Sequence, residues 1–281
     1  MLGSLRLRQF IDKTFFGLIC LFSFLSVLPL ILILGYLLIR GLSSLNWQFF
    51  FRVPAPLGET GGGIAHALVG SFLLLSTAFI LAVPLGLLVG IYLSENKKSR
   101  LADYARLSVE ILQGIPSIVI GLVIYTWLVL PFRSFSVLAG GAALALMMLP
   151  VIVRSAEETL RLIPPTLKEA SLALGVPYYR TILRVIVPSG ASGIVTGILL
   201  SLARVVGETA PLLLTAFGSF SLSFHLGKPI GSLPHLIYFY ATSPYEEWHR
   251  LAWGASFVLV TGVLGLNIAA KFLTRKWRVQ F

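Results

Sequence analysis

The chain is 281 residues long, 57% hydrophobic and only 12% charged, with a mean hydropathy of +0.90. Soluble domains carry about a quarter of their residues as Asp, Glu, Lys and Arg, so this chain cannot cover a water-facing surface of its size. A soluble enzyme is excluded, as is a disordered chain; what remains is a polytopic membrane protein.

A helix crosses the hydrocarbon core with roughly 20 apolar residues, so charge-free windows are the primary signal. In chain order they fall at 14–39, 67–94, 111–132, 134–153 and 251–270, with a further apolar stretch, 191–217, interrupted only by Arg204 and Glu208. That pattern predicts an all-α protein with six transmembrane helices. The first window is too long for a signal-peptide core and has no small-residue cleavage site after it, so it reads as a retained helix. Cys20, the single cysteine, lies within it and reads as a core or lipid-facing residue.

The formal charge is +11, and its distribution sets the orientation. Basic residues cluster before the first span, at 97–106, at 154–184 and after the last span. The alternate loops hold only Arg40, Arg52, Arg133, Lys228 and Arg250. Lys and Arg accumulate on the cytoplasmic side, so both termini are expected inside. The basic excess is then topological, and no nucleic-acid partner is expected. Of the outer segments, 41–66 is rich in Gly and Pro, and 221–250 carries Trp248 and three tyrosines, as interfacial belts do.

The longest cytoplasmic segment contains a short helix with built ends. Pro164 and Pro165 stop the preceding helix, Thr166 and Glu169 have capping-box spacing, and Gly175 followed by Pro177 marks the C-terminus. The helix is about 12 Å long at 1.5 Å per residue. Leu167, Ala170, Ser171 and Leu174 share one face at helical spacing. A second helical piece is expected at about 178–187. A plain hairpin on the membrane surface would not need caps at both ends and small residues outside; a rigid element for a partner would.

Glu169-Ala170-Ser171, with Gly175 six positions after the Glu and Pro188 nineteen after it, resembles the EAA motif of the permease subunits of ABC importers. Ser171, Val185 and Val187 replace an Ala, an Ile and a Leu of that pattern, and the spacing is intact. The resemblance implies that Glu169, Ala170, Ser171, Leu174 and Gly175 dock a cytoplasmic ATPase. The Walker A pattern G-x-x-x-x-G-K-[ST] is absent from this chain, so ATP is expected to be used by a partner subunit. No cofactor of its own is expected.

Charges within the membrane are costly and are functional candidates. Glu110 follows Arg106 by four residues near the entry of the third span, where an ion pair along the helix accounts for it. Arg204 and Glu208 differ. Arg204 would lie about 21 Å along a fifth helix entered near residue 190, and the Arg-then-Glu order is the less favourable one for a helical pair. Both are therefore expected to border a polar cavity. A guanidinium suits an oxyanion. A nearby carboxylate repels a fully ionised anion such as sulfate but accepts a hydrogen bond from the P–OH of hydrogenphosphate.

The stretch 203–216, Ala-Arg-Val-Val-Gly-Glu-Thr-Ala-Pro-Leu-Leu-Leu-Thr-Ala, closely resembles the A-R-x-x-G-E-T-A-P-L-L-x-T-A pattern of the phosphate-importing branch of those permeases. The A-P-L-L-x-T-A tail distinguishes one of the two sister subunits from the other, PstC. Gly61-Gly62-Gly63-Ile64, the segment 114–119 with Gly121, and Leu149-Pro150 agree. The resemblance implies a type I ABC importer permease fold and a substrate path at Arg204, Glu208 and Thr209. Gly114, Pro116 and Ser117 would bend the third span or line a cavity. It also implies a PstC-like second permease, a PstB-like homodimeric ATPase, a PstS-like binding protein and a place in a bacterial inner membrane, in contact with lipid. The expected organisation is an N-terminal segment with its first helix at 1–60, a transmembrane domain at 61–273 containing the docking loop 158–188, and a basic tail at 274–281.

Two other readings stay open. Another oxyanion would need only a different filter, and an ion-coupled secondary transporter would need inverted repeats, of which the sequence shows none. His66, His225, His235 and His249 are not spaced as metal ligands and read as interfacial residues. No nucleophile–base constellation of a hydrolase stands out.

Overall fold

The computed structural model describes residues 2–55 and 61–275. Residues 56–60 of the first outer segment and 276–281 of the expected basic tail lie outside that range. Among the described residues the chain is helical, with one isolated bridge between Phe217 and Ile230. In order, α1 is Leu2–Leu42, α2 Trp47–Phe51, α3 Ala65–Glu95 and α4 Arg100–Gly114. Then α5 (Ser117–Ile124) passes through a π turn, Tyr125–Val129, into α6 (Leu130–Phe132). α7 is Val137–Arg161 and α8 Pro165–Ala173. Next, α9 (Tyr178–Thr181) passes through a second π turn, Ile182–Ile186, into α10 (Val187–Ser189). α11 is Ala191–Val205, α12 Ala210–Thr215, α13 Leu233–Ala241 and α14 Glu246–Arg275.

Four helices, α1, α3, α7 and α14, are long and apolar enough to cross a membrane. Two bent pairs bring the number to six when each counts as one span: α4 with α5–α6, bent by 107°, and α9–α10 with α11, bent by 70°. The helical, up-to-six-span architecture expected from the sequence is therefore present; the first bend falls at Gly114 and Pro116, where a bend or cavity lining was expected, and the second at Gly190, where the fifth span was expected to begin. In the third, Ile115 is extended at ψ 130°, as a residue before proline is driven to be. The fifth was expected to run unbroken over 191–217. It stops at Val205 and resumes as α12 at Ala210, after four intervening residues.

The centre of the bundle is α3 against α7. Gly70, Leu74, Ala78, Ala82, Gly86 and Gly90 recur every four residues along α3 and are all buried. Lipid tails are as apolar as leucine, so close backbone approach and dispersion drive association in a membrane, and small residues permit it. A Cβ on Gly86 would lie 2.7 Å from Cγ2 of Ile152, and one on Gly90 would lie 2.6 Å from the Cβ of Ala156. Both positions need their missing side chains. α1 meets the body through α14, with Gly41 under Phe257 and Tyr36 edge-on to Trp253 at 5.0 Å. Cys20 is exposed on α1.

The aromatic belt expected at 221–250 is partly a core. Tyr240 is buried and stacks on Trp248 at 4.7 Å, within a cluster that joins Phe49 of α2, the start of α3, α13 and α14. Tyr238 and Tyr245 remain exposed.

Candidate functional site

The signature stretch at 203–216 occupies the broken fifth span. Proline at 211 has no N–H to give Gly207, and its ring would collide with the Gly207 carbonyl in a continuing helix. α11 therefore ends before Gly207, and Pro211 lies in the first turn of α12. The Val206 N–H donates to Leu202 O at 3.1 Å and the Glu208 N–H to Val205 O at 3.2 Å. The Thr209 carbonyl then accepts from the N–H groups of Leu212 and Leu213 at 3.1 and 3.2 Å. Thr209 thus starts α12 through its backbone.

Arg204, in the last turn of α11, is exposed on this chain, and Glu208 and Thr209 are half-buried. The reading of Arg204 and Glu208 as neighbours on one helix is corrected, because Glu208 lies beyond the helix end. Among the described residues neither side chain forms an ion pair.

The second signature stretch meets the first. α5 packs on α12, and a Cβ at Gly121 would lie 2.7 Å from the Cα of Pro211. Gly114 and Pro116 are exposed at the 107° bend, and Ser117 opens α5. The starts of α5 and α12 are therefore packed against each other, each just after a gap in the helical chain.

The short helix expected in the cytoplasmic segment is present as α8, with its start shifted. α8 starts at Pro165, with Pro164 as N-cap and no side-chain cap bond, so the capping box expected of Thr166 and Glu169 does not form. Proline in the first turn is pre-set for a helix and lacks an N–H that would go unpaired there. The C-terminus is as expected. Gly175 takes φ +77°, its N–H donates to Leu172 O at 2.9 Å, and the Val176 N–H donates to Ser171 O at 3.3 Å. These are the two bonds of a Schellman cap.

Glu169, Ala170 and Leu174 are exposed, Leu174 at 84%. Ser171 is not on that face. It is buried, and its hydroxyl shares a 2.9 Å hydrogen bond with the buried Thr181 hydroxyl.

The acidic and basic residues at the expected cytoplasmic ends pair across helices as well as along them, and Glu110 does not pair with Arg106 as expected. The Arg106 Nε donates to Glu157 Oε1 at 2.8 Å, its Nη1 to Asp103 Oδ1 at 2.8 Å, and its Nη2 to the Leu93 carbonyl at 3.0 Å. Arg161 reaches the same Glu157 oxygen at 2.6 Å. Glu110 instead accepts from Arg154 at 3.0 Å. Glu157, at 4% exposure, was missed by the sequence reading, although its four-residue spacing from Arg161 signalled an ion pair.

Also unforeseen, Lys168 donates to Glu95 and, at 3.3 Å, to the Tyr178 hydroxyl, which itself donates to Glu95. Burial is the largest single influence on Lys168 and lowers its pKa. The bonds and attraction from Glu95 and Tyr178 outweigh it and hold the ammonium above its ordinary value.

On the opposite side of the bundle, a cavity of about 270 Å³ is bordered by His66, Phe217, Phe220, Gly231, His235 and Phe239. His66 and His235 are not loose interfacial residues. His66 is 2% exposed and its Nδ1 has no partner among the described residues. Burial pushes the His235 imidazole below its usual pKa. No group of three or more metal-ligating side chains occurs among the described residues.

The model of the family described as "Binding-protein-dependent transport system inner membrane component" matches residues 82–279. The phosphate transport system permease protein PstA of Yersinia pestis is 42% identical over 248 residues, covering 88% of this chain and 84% of that protein. PstA of Haemophilus influenzae is 40% identical, covering 93% of each. PstA 1 of Mycobacterium tuberculosis strain H37Rv is 39% identical over 95% of this chain and 88% of its own. Among solved structures, an inward-facing form of the MetNI methionine ABC transporter matches with a TM-score of 0.61 and 22% identity, covering 77% of this chain and 98% of that one. That likeness establishes the fold.

Proposed function

We propose, from the premise that this chain belongs to the binding-protein-dependent transport system inner membrane components and within them to the PstA permeases, that it carries inorganic phosphate into the cell as one permease subunit of an ATP-driven importer. It is a membrane permease and not itself an ATPase. The importer would comprise a PstC-like second permease, a PstB-like ATPase dimer and a PstS-like binding protein that delivers phosphate from outside. ATP would be used by the ATPase pair, and this chain would bind no cofactor. The clustering of Lys and Arg supports an inner-membrane orientation with both termini in the cytoplasm.

The observation that carries the cargo reading is the Arg204 guanidinium, without an ion-pair partner among the described residues, at the end of a broken span. Such a charge in a membrane needs a partner or a wet cavity. Arg204 is exposed on the isolated chain, so the cavity would be completed by the second permease. Arg204 would bind two phosphate oxygens, and Glu208 would accept the P–OH hydrogen bond that sulfate cannot offer. Glu169, Ala170 and Leu174, held by the Gly175 cap, would meet the ATPase.

The test is uptake of labelled phosphate by the reconstituted complex, with sulfate as competitor. Uptake that requires the ATPase subunit and resists sulfate is expected. In Glu208→Gln, sulfate should compete at least tenfold better. Uptake without the ATPase would identify a secondary transporter, and an ATP-hydrolysing complex that ignores phosphate would discard the cargo.

A further inference from the structure

α3 ends at Glu95, a poor place for a carboxylate. The last turn of a helix carries the negative end of its dipole and unpaired carbonyl groups, so a further negative charge there is unfavourable. Both features are answered by residues of other helices. Lys168 of α8 and Tyr178 of α9 both donate to Oε2 of Glu95, and Lys168 lies 4.8 Å from the centre of the Tyr178 ring. Arg106 of α4 caps the Leu93 carbonyl at 3.0 Å while bound to Glu157 of α7. The Glu95 side chain is only 16% exposed and that of Lys168 30%, so solvent screens this pair less than an ordinary surface ion pair.

α8 is therefore held twice on its inner side: through Ser171 to Thr181, and through Lys168 to the end of α3. Packing of a short surface helix is already provided by the first tether. The second connects it to a 31-residue helix, about 46 Å long at 1.5 Å per residue. At its far end the Ser71 hydroxyl accepts from the Leu233 N–H at 2.9 Å, and His66 borders the cavity beside Gly231. One continuous helix, with Pro84 inside it, thus runs from the ATPase-docking surface to the opposite mouth of the bundle.

We infer that Glu95, Lys168 and Tyr178 form a coupling joint, a set of positioning residues that passes displacement of the docking helix α8 into α3 and so to the outer cavity. This inference rests on the docking reading of α8. The joint touches neither cargo nor ATPase. It removes slack between them.

The experiment uses the full reconstituted complex and reads phosphate transported per ATP hydrolysed. Lys168→Met should leave assembly and basal ATP hydrolysis near wild type while lowering that ratio at least fivefold. Exchanging the charges, Glu95→Lys with Lys168→Glu, should recover at least half of it. A second readout needs no phosphate. In a Cys20→Ser background, spin labels at Phe72→Cys and Leu226→Cys, both exposed, report a nucleotide-dependent distance change at the outer end of α3. That change should be present with native Lys168, vanish in Lys168→Met and return in the exchanged pair.

A wild-type coupling ratio in Lys168→Met, or an unchanged label distance response, overturns the joint. So does an exchanged pair that restores assembly without restoring coupling. Failure of the native complex to bind the ATPase through α8, or to take up phosphate, counts against the reading of function and is seen before any variant is made.

Discussion

Glu157 shows how a single residue in this bundle is secured. A buried carboxylate in a membrane protein is costly, and this one is held by two guanidiniums, at 2.8 and 2.6 Å on the same oxygen. Glu157→Ala would leave Arg106, 18% exposed in its side chain, without its principal partner. Breaking a fully buried pair costs about 3–5 kcal/mol; with Arg161 37% exposed, about 2 kcal/mol is expected here. Thermal unfolding in detergent should show that loss, and Glu158→Ala, on an exposed neighbour, should lose less than about 0.5 kcal/mol. The sequence carried the charges but not their partners. Arg106 and Glu110 are four apart and could pair on one helix, yet each finds a partner on α7. Spacing along a chain says which pairs are possible; packing of α4 on α7 decides which form.

At the scale of elements, the most legible was α8, because its ends are marked by residues with backbone consequences. Gly175 at φ +77° is where a side chain costs about 1–2 kcal/mol, and Pro164–Pro165 fix the start. Gly175→Asp is therefore expected to fray the last turn, where Leu174 projects, and to place a second negative charge at the negative end of the helix. ATPase co-purification should fall by at least tenfold while the chain still reaches the membrane. Undiminished co-purification would remove α8 as the docking element.

The bend at Pro116 was expected; less legible was the break before Pro211. Pro211 was in view, but proline is common in membrane spans, where neighbours can re-satisfy the backbone. Whether a given proline kinks a helix or ends it depends on what packs beside it. Here Gly121 admits Pro211, so the chain can stop and restart. Gly86 and Gly90 of α3 face Ile152 and Ala156 of α7, a pairing that spacing along the chain does not show.

For the whole molecule, the span count, the all-α class and the family follow from composition and a few motifs. The proposed site would be incomplete on one chain. Arg204 is exposed, and Glu208 is separated from it by a helix end, so the proposed cavity would be closed by the second permease. We propose a phosphate path between two permeases, beside the gap that separates α11 from α12. Its most direct test is labelled phosphate uptake by the reconstituted complex carrying Arg204→Gln, with ATPase co-purification measured in parallel. Uptake reduced at least a hundredfold in a complex that still assembles and hydrolyses ATP is the predicted result. Near-normal uptake by that complex would contradict the assignment of Arg204 to the phosphate path.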